Sequence, residues 1–419
     1  MRDSIPVTVL AASGGTGSLD TAMLAFGALL MGGALVSGLV RRSFLSMTAL
    51  FVLVGFALGE GGMELLTFDA GSGFVQALAI VALVVILFRD GLEVEAEMLQ
   101  TSWRPPLRKL VLAMPITAVI VAAAAHAFTD LGWGECLLIG ALLSPTDPVL
   151  SSSVVTNPRV PRLVRHSLNL ESGLNDGLAL PAVLAFSAAL RVGDDDFVWW
   201  EFVLQDVTLG FACGIALGFL ASVVLPRARG LEESIPDHQK SLYALGTAFA
   251  TYGIAVGLPL EGNGLIAVFV CAITLGIRRS DLRSTFVARA EDIVEIVKLG
   301  VFVVFGALLT LGGLFGDGLG AVAIVLVTLL VARPVAVWLS LLGTGLPATW
   351  VGFMAWFGPK GVATMTFSLL VLADQIPENE RIFNIAALCV FVSILAHGVT
   401  DKPGSEWLAR RAVQPAPAR

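Results

Sequence analysis

Apolar stretches follow one another along the whole chain, and they restrict what it can fold into. About 20 consecutive apolar residues cross the hydrocarbon core of a bilayer as a helix. Hydrophobic residues make up 56% of the 419 residues and charged residues 14%, which is typical of a polytopic membrane protein. We therefore predict an all-α membrane protein with a single transmembrane domain over residues 1–419. Thirteen spans are predicted, centred near residues 30, 52, 82, 118, 142, 178, 213, 249, 269, 303, 329, 360 and 391.

The basic residues are distributed unevenly between the predicted loops. Most of the 26 lysines and arginines lie in alternate loops, whereas the intervening loops contain Arg2, Arg191 and Arg381. Because cytoplasmic loops are enriched in Lys and Arg, thirteen spans place the N-terminus outside a cell or inner membrane and the C-terminus in the cytoplasm. Lys109 and Lys298 fall in the basic loops, which leaves Arg333 and Lys360 within spans. The net charge of −7 gives no indication of nucleic-acid binding.

Two neighbouring spans contain charged side chains. The fifth span contains Asp147 within segment 144–148, which also has two prolines, and the sixth contains Glu171, Asn175 and Asp176. A carboxylate at the centre of a spanning helix costs about 2.5–3.5 kcal/mol and usually marks an ion or proton path. On a helix, residues 171 and 175 share one face, and residues 172 and 176 share the adjoining face. These side chains can therefore line one cavity, and we predict an ion site there.

Asp176 is the candidate carrier within this group. A carboxylate that exchanges a cation for a proton must be ionised in one state and protonated in the other. Asp147 can add an oxygen ligand or hydrogen-bond Asn175, while the Thr146 carbonyl and the Ser172 hydroxyl are neutral hard ligands that suit an alkali cation. We predict that Na⁺ or K⁺ is held by Asp176, Asp147, Ser172 and Thr146. Ligand identity does not fix the size of the cavity, so both cations stay open.

Glu171 requires a partner of opposite charge in a low-dielectric helix bundle. The two basic residues assigned to spans, Arg333 and Lys360, are its candidate partners. Breaking a buried ion pair costs about 3–5 kcal/mol, so a contact of this kind stabilises the fold and need not touch the transported ion. We therefore interpret Glu171, Arg333 and Lys360 mainly as charge-balancing residues.

Two spans are interrupted at corresponding positions. Residues 144–148 break the fifth span, and Gly358, Pro359 and Gly361 break the twelfth. With the seventh span (200–226) as a connector, residues 20–191 and 239–403 form two halves of six spans with opposite membrane orientation. Paired broken helices in inverted halves indicate a binding site near the membrane midplane. The freed backbone groups at such breaks can contact or balance ions.

The motifs Thr146-Asp147-Pro148, Glu171-Ser172 and Asn175-Asp176, in this order on adjacent spans, resemble those of NhaP-type sodium/proton antiporters, relatives of animal sodium/proton exchangers. The resemblance covers essentially the whole chain, including the broken fifth and twelfth helices and an arginine on the eleventh. It implies a transporter with a dimerisation domain, a mobile six-helix core domain, homodimers and elevator-like alternating access. Residues matching Asp176, Asp147, Ser172, Thr146 and Glu171 surround the cation in this family. The Asn-Asp pair at 175 and 176 goes with electroneutral exchange.

One segment departs from the family pattern. Gly358-Pro359-Lys360-Gly361 stands where relatives commonly carry an arginine between glycines. The role of pairing with Glu171 therefore stays open between Arg333 and Lys360.

Intramembrane carboxylates also occur in cation channels and aspartyl proteases. A protease of this kind requires a Gly-x-Gly-Asp motif, and segment 314–317 lacks the first glycine. Discrete helices broken by proline suit a gated carrier better than a continuous pore. We therefore predict a non-enzymatic transporter without a cofactor, whose partners are Na⁺ and H⁺, membrane lipid and a second copy of the chain. Li⁺ and K⁺ are alternative cations, and K⁺/H⁺ exchange is the closest alternative function.

Overall fold

The computed structural model describes residues 47–94, 104–147, 157–191, 197–225, 236–257, 262–374 and 376–412, together with Gly27, Met31 and Val154. These residues form helices joined by turns, without a strand in the described part of the chain. In chain order the described helices longer than one turn are α1 (Met47–Leu58), α2 (Gly73–Glu93), α3 (Pro105–Phe128), α4 (Trp133–Leu142), α5 (Arg162–Leu190), α6 (Trp199–Val224), α7 (Asp237–Gly257), α8 (Gly264–Arg278), α9 (Ser280–Ala307), α10 (Leu319–Leu341), α11 (Ala348–Trp356), α12 (Val362–Ala373) and α13 (Asn379–Ala412), and a single helical turn (Leu311–Leu314) lies between α9 and α10.

Six of these helices, α2, α3, α5, α6, α10 and α13, are long and apolar enough to cross a membrane. Shorter apolar helices are α1, α4, α8 and α12. The chain is therefore a multi-pass membrane protein, as predicted. The centres of the second to the thirteenth predicted spans fall on described helices or, for the twelfth, in the break between α11 and α12. The first predicted span lies almost entirely outside the described residues, so the count of thirteen stays a prediction.

Both predicted helix breaks are present. Helix α4 ends at Leu142, and residues 145–147 are not helical, because proline disfavours helical backbone at and before its own position. Helix α11 ends at Trp356, residues 357–361 are not helical, and α12 begins at Val362. The breaks therefore leave backbone donors and acceptors without partners in their own helices, so these groups need other partners within an apolar bundle.

Helices α3, α6 and α10 each contain a π-helical turn, in which one extra residue widens the helix. The turns are Lys109–Ala113, Val203–Leu209 and Thr328–Ala332. The turn in α3 packs against α10, and the turn in α10 packs against α3. Lys109 opens the turn in α3, and Arg333 directly follows the turn in α10.

Small residues allow close contact between several helix pairs. A Cβ atom on Gly306 of α9 would collide with the Val52 carbonyl of α1 and lie 3.0 Å from the Phe56 nitrogen. Gly55 of α1 meets the Val303 carbonyl in the same way. Small residues at helix crossings are a general device in membrane proteins, because they let backbones approach closely.

We predict that Gly306→Ala separates α1 from α9 and destabilises the protein by about 1–3 kcal/mol, the range for overpacked cores. The matched control is Gly253→Ala on α7, whose added Cβ would meet nothing within 4 Å among the described residues. That change should be neutral or stabilising by up to about 1 kcal/mol, because alanine favours the helix. Thermal unfolding of the purified proteins in detergent tests this, and equal midpoints for the two variants would contradict it.

Candidate cation site

The two helix breaks lie directly against each other. The backbone nitrogen of Asp147 donates to the Pro359 carbonyl (2.8 Å), and Thr364 Oγ1 donates to the Leu142 carbonyl (3.1 Å). Gly361 packs on the Asp147 side chain so closely that a Cβ atom would lie 2.5 Å from the carboxylate. A glycine is therefore required where the two breaks, residues 143–147 and 357–361, meet. We call this point the helix crossing.

Charged side chains balance the freed helix ends. Asp147 Oδ2 accepts a hydrogen bond from the Val362 nitrogen (3.2 Å) at the N-terminus of α12. The Lys360 ammonium group donates to the carbonyls of Ser144 (3.4 Å) and Pro145 (3.1 Å), just beyond the C-terminus of α4. An acid at a helix N-terminus and a base near a C-terminus both interact favourably with the helix dipole. Lys360 is therefore bound to backbone carbonyls, and the described contacts do not pair it with Glu171.

Asn175 connects α5 to the break after α4. Its Nδ2 donates to the Thr146 carbonyl (2.6 Å) and to Thr146 Oγ1 (3.0 Å). Because a carbonyl can only accept, this contact fixes which way the amide points. The sequence also suggested Asp147 as a partner of this amide, but the nitrogen of Asn175 uses Thr146.

Asp176 is buried, with 7% of its surface exposed, and its Oδ1 has no hydrogen-bond partner among the described residues. Asp147 lies close enough to interact with it electrostatically. A buried carboxylate oxygen without a donor is costly, and its presence calls for an explanation such as a ligand. The side chain of Ser172 is not among those that the structure describes, so its role as a hydroxyl ligand stays a prediction.

Glu171 is held by two cations. Its carboxylate forms a two-pronged pair with Arg333, at 2.9 Å from Nη1 to Oε1 and 3.3 Å from Nη2 to Oε2. The ammonium group of Lys109 contacts Oε2 of the same carboxylate. Arg333 Nη2 also donates to the carbonyls of Met354 and Phe357, each at 3.2 Å, at the C-terminal end of α11. Of the two partners that the sequence allowed, the structure brings Arg333 to Glu171.

The assignment of Lys109 to a cytoplasmic loop is wrong. Lys109 lies in the π-helical turn of α3 and is 1% exposed, so Arg333 and Lys360 are not the only basic residues within helices. The sequence contains a signal that could have placed it, since Pro105 and Pro106 open the helix one turn earlier.

Sequence reasoning also missed two charged residues near Asp176. Asp90 on α2 and Lys298 on α9 are both buried and interact electrostatically with it. Each lies at one end of an apolar stretch, next to or among basic residues that predicted a cytoplasmic loop there. The environment of Asp176 therefore includes groups from α2 and α9 as well as from the crossing.

Two interrupted helices whose breaks contact each other near a buried carboxylate are the arrangement of a carrier-type membrane protein. A family model described as "Sodium/hydrogen exchanger, transmembrane" matches residues 26–407. The chain belongs to this family.

Curated relatives carry the NhaP name. The chain is 26% identical over 397 residues to a K⁺/H⁺ antiporter NhaP of Alkalimonas amylolytica, which covers 93% of this chain and 67% of the relative. It is 27% identical over 373 residues to a K⁺/H⁺ antiporter NhaP2 of Shewanella baltica, covering 87% and 63%. A Na⁺/H⁺ antiporter NhaP of Pseudomonas aeruginosa is 26% identical over 352 residues, covering 79% and 80%. The chain thus spans about two thirds of the length of the first two relatives.

A solved structure has the same fold. The sodium proton antiporter MjNhaP1 from Methanocaldococcus jannaschii at pH 8 superposes with a TM-score of 0.81 at 18% sequence identity, covering 95% of this chain and all of that one. Together with the relatives, this match confirms the resemblance to NhaP-type antiporters.

We predict that Glu171→Gln destabilises the protein by about 3–5 kcal/mol, because it leaves Lys109 and Arg333 as buried cations without a carboxylate. The control is Glu406→Gln, the same chemical change at an exposed carboxylate that lies 3.4 Å from Arg410. Its effect should stay within about 0.5 kcal/mol. The measurement is thermal unfolding in detergent, and a small loss for Glu171→Gln would show that the cluster does not stabilise the fold.

Proposed function

We propose that the protein is a secondary active transporter that exchanges Na⁺ for H⁺, with Asp176 as the shared cation and proton site. The observation that carries the proposal is the buried Oδ1 of Asp176, which has no hydrogen-bond partner in the described part of the chain. The Asp176 carboxylate interacts electrostatically with Asp147 at the helix crossing. A proton or a cation could satisfy this oxygen, and exchange requires that they replace each other.

The neighbouring charged groups support the proposal, because they already bind backbone groups whereas one oxygen of Asp176 has no donor among the described residues. Asp147 Oδ2 binds the N-terminus of α12, while Lys360 and Arg333 bind carbonyls beside the ends of α4 and α11. The Thr146 carbonyl accepts from Asn175 and retains a second lone pair for a cation. In the proposed site the cation binds Asp176, Asp147 and Thr146, together with the Ser172 hydroxyl.

The exchange cycle follows from charge. An ionised Asp176 binds the cation, and a proton that neutralises the carboxylate removes its attraction and releases the cation. The crossing holds both half-helices through direct bonds, so it would move as a unit between the two faces of the membrane. By family resemblance, we propose that this motion is elevator-like in a homodimer, with the C-terminus in the cytoplasm.

K⁺/H⁺ exchange is the second candidate function. The names of the relatives from Alkalimonas amylolytica and Shewanella baltica, which cover 93% and 87% of this chain, favour it. The name of the relative from Pseudomonas aeruginosa favours Na⁺. Uptake of radioactive Na⁺ and of a K⁺ tracer into proteoliposomes under an imposed pH gradient distinguishes the two.

We predict that Asp176→Asn abolishes exchange, because an amide can neither bind a cation by charge nor take up the proton. Asp237→Asn is the control, since the Asp237 side chain is 52% exposed and makes a surface contact with Lys240. Cation-dependent proton flux in proteoliposomes should vanish in the first variant and stay unchanged in the second. Melting curves of both proteins show whether they are folded, and wild-type exchange by a folded Asp176→Asn protein would refute the role of Asp176.

We further predict that exchange is electroneutral, because Asp176 is ionisable and its neighbour Asn175 is not. A membrane potential set by valinomycin and a fixed K⁺ gradient should then leave the equilibrium Na⁺ distribution unchanged. Movement of one net charge would shift that equilibrium by about 2.3 kcal/mol per 100 mV. A shift of this size would show that a second ionisable group, with Asp90 or Lys298 as the candidates, takes part in the cycle.

A further inference from the structure

A small, largely enclosed cavity lies between α3, α5 and the break after α4. Its polar lining consists of Lys109, Thr117, Ser144, Glu171, Asn175 and Arg333. It leaves about 10 Å³ for the centre of a water-sized sphere. This is close to the space that one buried water occupies, and such waters need two to four polar partners.

Two of the lining side chains carry polar atoms whose hydrogen-bonding capacity is not fully used by the described residues. Asn175 is 2% exposed, and its Oδ1 has no hydrogen-bond partner in the described part of the chain. The amide cannot be reversed, because Nδ2 must face the Thr146 carbonyl. Lys109 contacts one carboxylate oxygen of Glu171 through its ammonium group, and because this group has three donors, donors remain for a further acceptor.

The lining also supplies a further acceptor. The Thr117 hydroxyl donates to the Ala113 carbonyl (2.7 Å), and the Ser144 hydroxyl donates to the Ala141 carbonyl (3.0 Å). Because each hydroxyl has given its proton elsewhere, its oxygen remains able to accept. A water here could accept from Lys109, donate to Asn175 and donate to one hydroxyl.

From this geometry we propose that the cavity is a water-binding site and that Lys109 is a positioning residue for Asn175, acting through the bound water. A neutral ligand fits the charge of the cavity. Lys109 and Arg333 contribute two positive charges and Glu171 one negative charge, and this excess of positive charge disfavours a second cation. Water supplies both a donor for Asn175 Oδ1 and an acceptor for a remaining donor of Lys109.

The inference rests on the proposed transport function for its effect on activity. Lys109, the water and Asn175 would form a chain that ends at the Thr146 carbonyl, a proposed ligand of the cation. Loss of the Lys109 donor would free the amide and displace this carbonyl. We expect Lys109→Met to raise the KM for the cation about fivefold, which corresponds to one hydrogen bond.

The first test is independent of transport and of any variant. A cryo-electron microscopy or crystallographic map of the wild-type protein, at a resolution that shows other ordered waters, should contain a peak between Lys109 Nζ and Asn175 Oδ1. A map with ordered waters elsewhere and none at this point would overturn the water site.

The second test is a double-mutant cycle of Lys109→Met and Asn175→Ala, read as the KM for cation-driven proton flux. If Lys109 acts through Asn175, the Lys109 change should leave KM unaltered in the Asn175→Ala background. Equal fold-changes in both backgrounds would overturn the positioning role, because loss of the ion pair with Glu171 would act in both. Met114→Leu, which alters the apolar wall of the same cavity, should leave KM unchanged. Absence of any exchange by the wild-type protein would refute the proposed function and leave the map as the test of the water site.

Discussion

The fold depends on how backbone groups are satisfied where two helices stop inside the membrane. An open N–H or C=O group in hydrocarbon costs several kcal/mol, which is why interrupted helices occur only where protein or water covers them. Here the breaks cover each other, through the bond from Asp147 to Pro359 and the contacts of Lys360 with carbonyls 144 and 145. Moving one break without the other would expose all of these groups, so we expect the two breaks to move together.

The charged residues around the crossing divide into two groups. Asp147, Lys360 and Arg333 contact backbone at or near the ends of half-helices, and Lys109 joins Arg333 at Glu171. Asp176 differs from them, because a buried oxygen of its carboxylate has no donor among the described residues. The carboxylate that the structure pairs with cations and the carboxylate that we propose as the transport site are therefore separate, five residues apart on one helix. We therefore expect a change at Glu171 to act first on folding and a change at Asp176 to act first on exchange.

Sequence reasoning found the helices that break and the span that carries Asp176, because polar residues and prolines stand out in apolar segments. It also restricted the partners of Glu171 to two cations, of which the structure selects Arg333. It could not find Lys109, Lys298 or Asp90 as neighbours of the site. Hydropathy assigns a charged residue at the end of an apolar run to a loop, whereas packing by other helices decides whether that position is buried. The direction of the Asn175 amide is likewise a tertiary property, because it depends on the Thr146 carbonyl 29 residues earlier.

The π-helical turns beside Lys109 and Arg333 have a consequence for how sequences of this kind can change. Each residue of an α-helix rotates the next side chain by about 100°. A π turn inserts one residue, so the helix before it and the helix after it face directions that a regular helix could not combine. Deleting a single residue from 109–113 or 328–332 would restore regular helix and turn the preceding segment away from its neighbours, although no contacting residue had been replaced. At these two points the length of the chain is constrained as strongly as its chemistry.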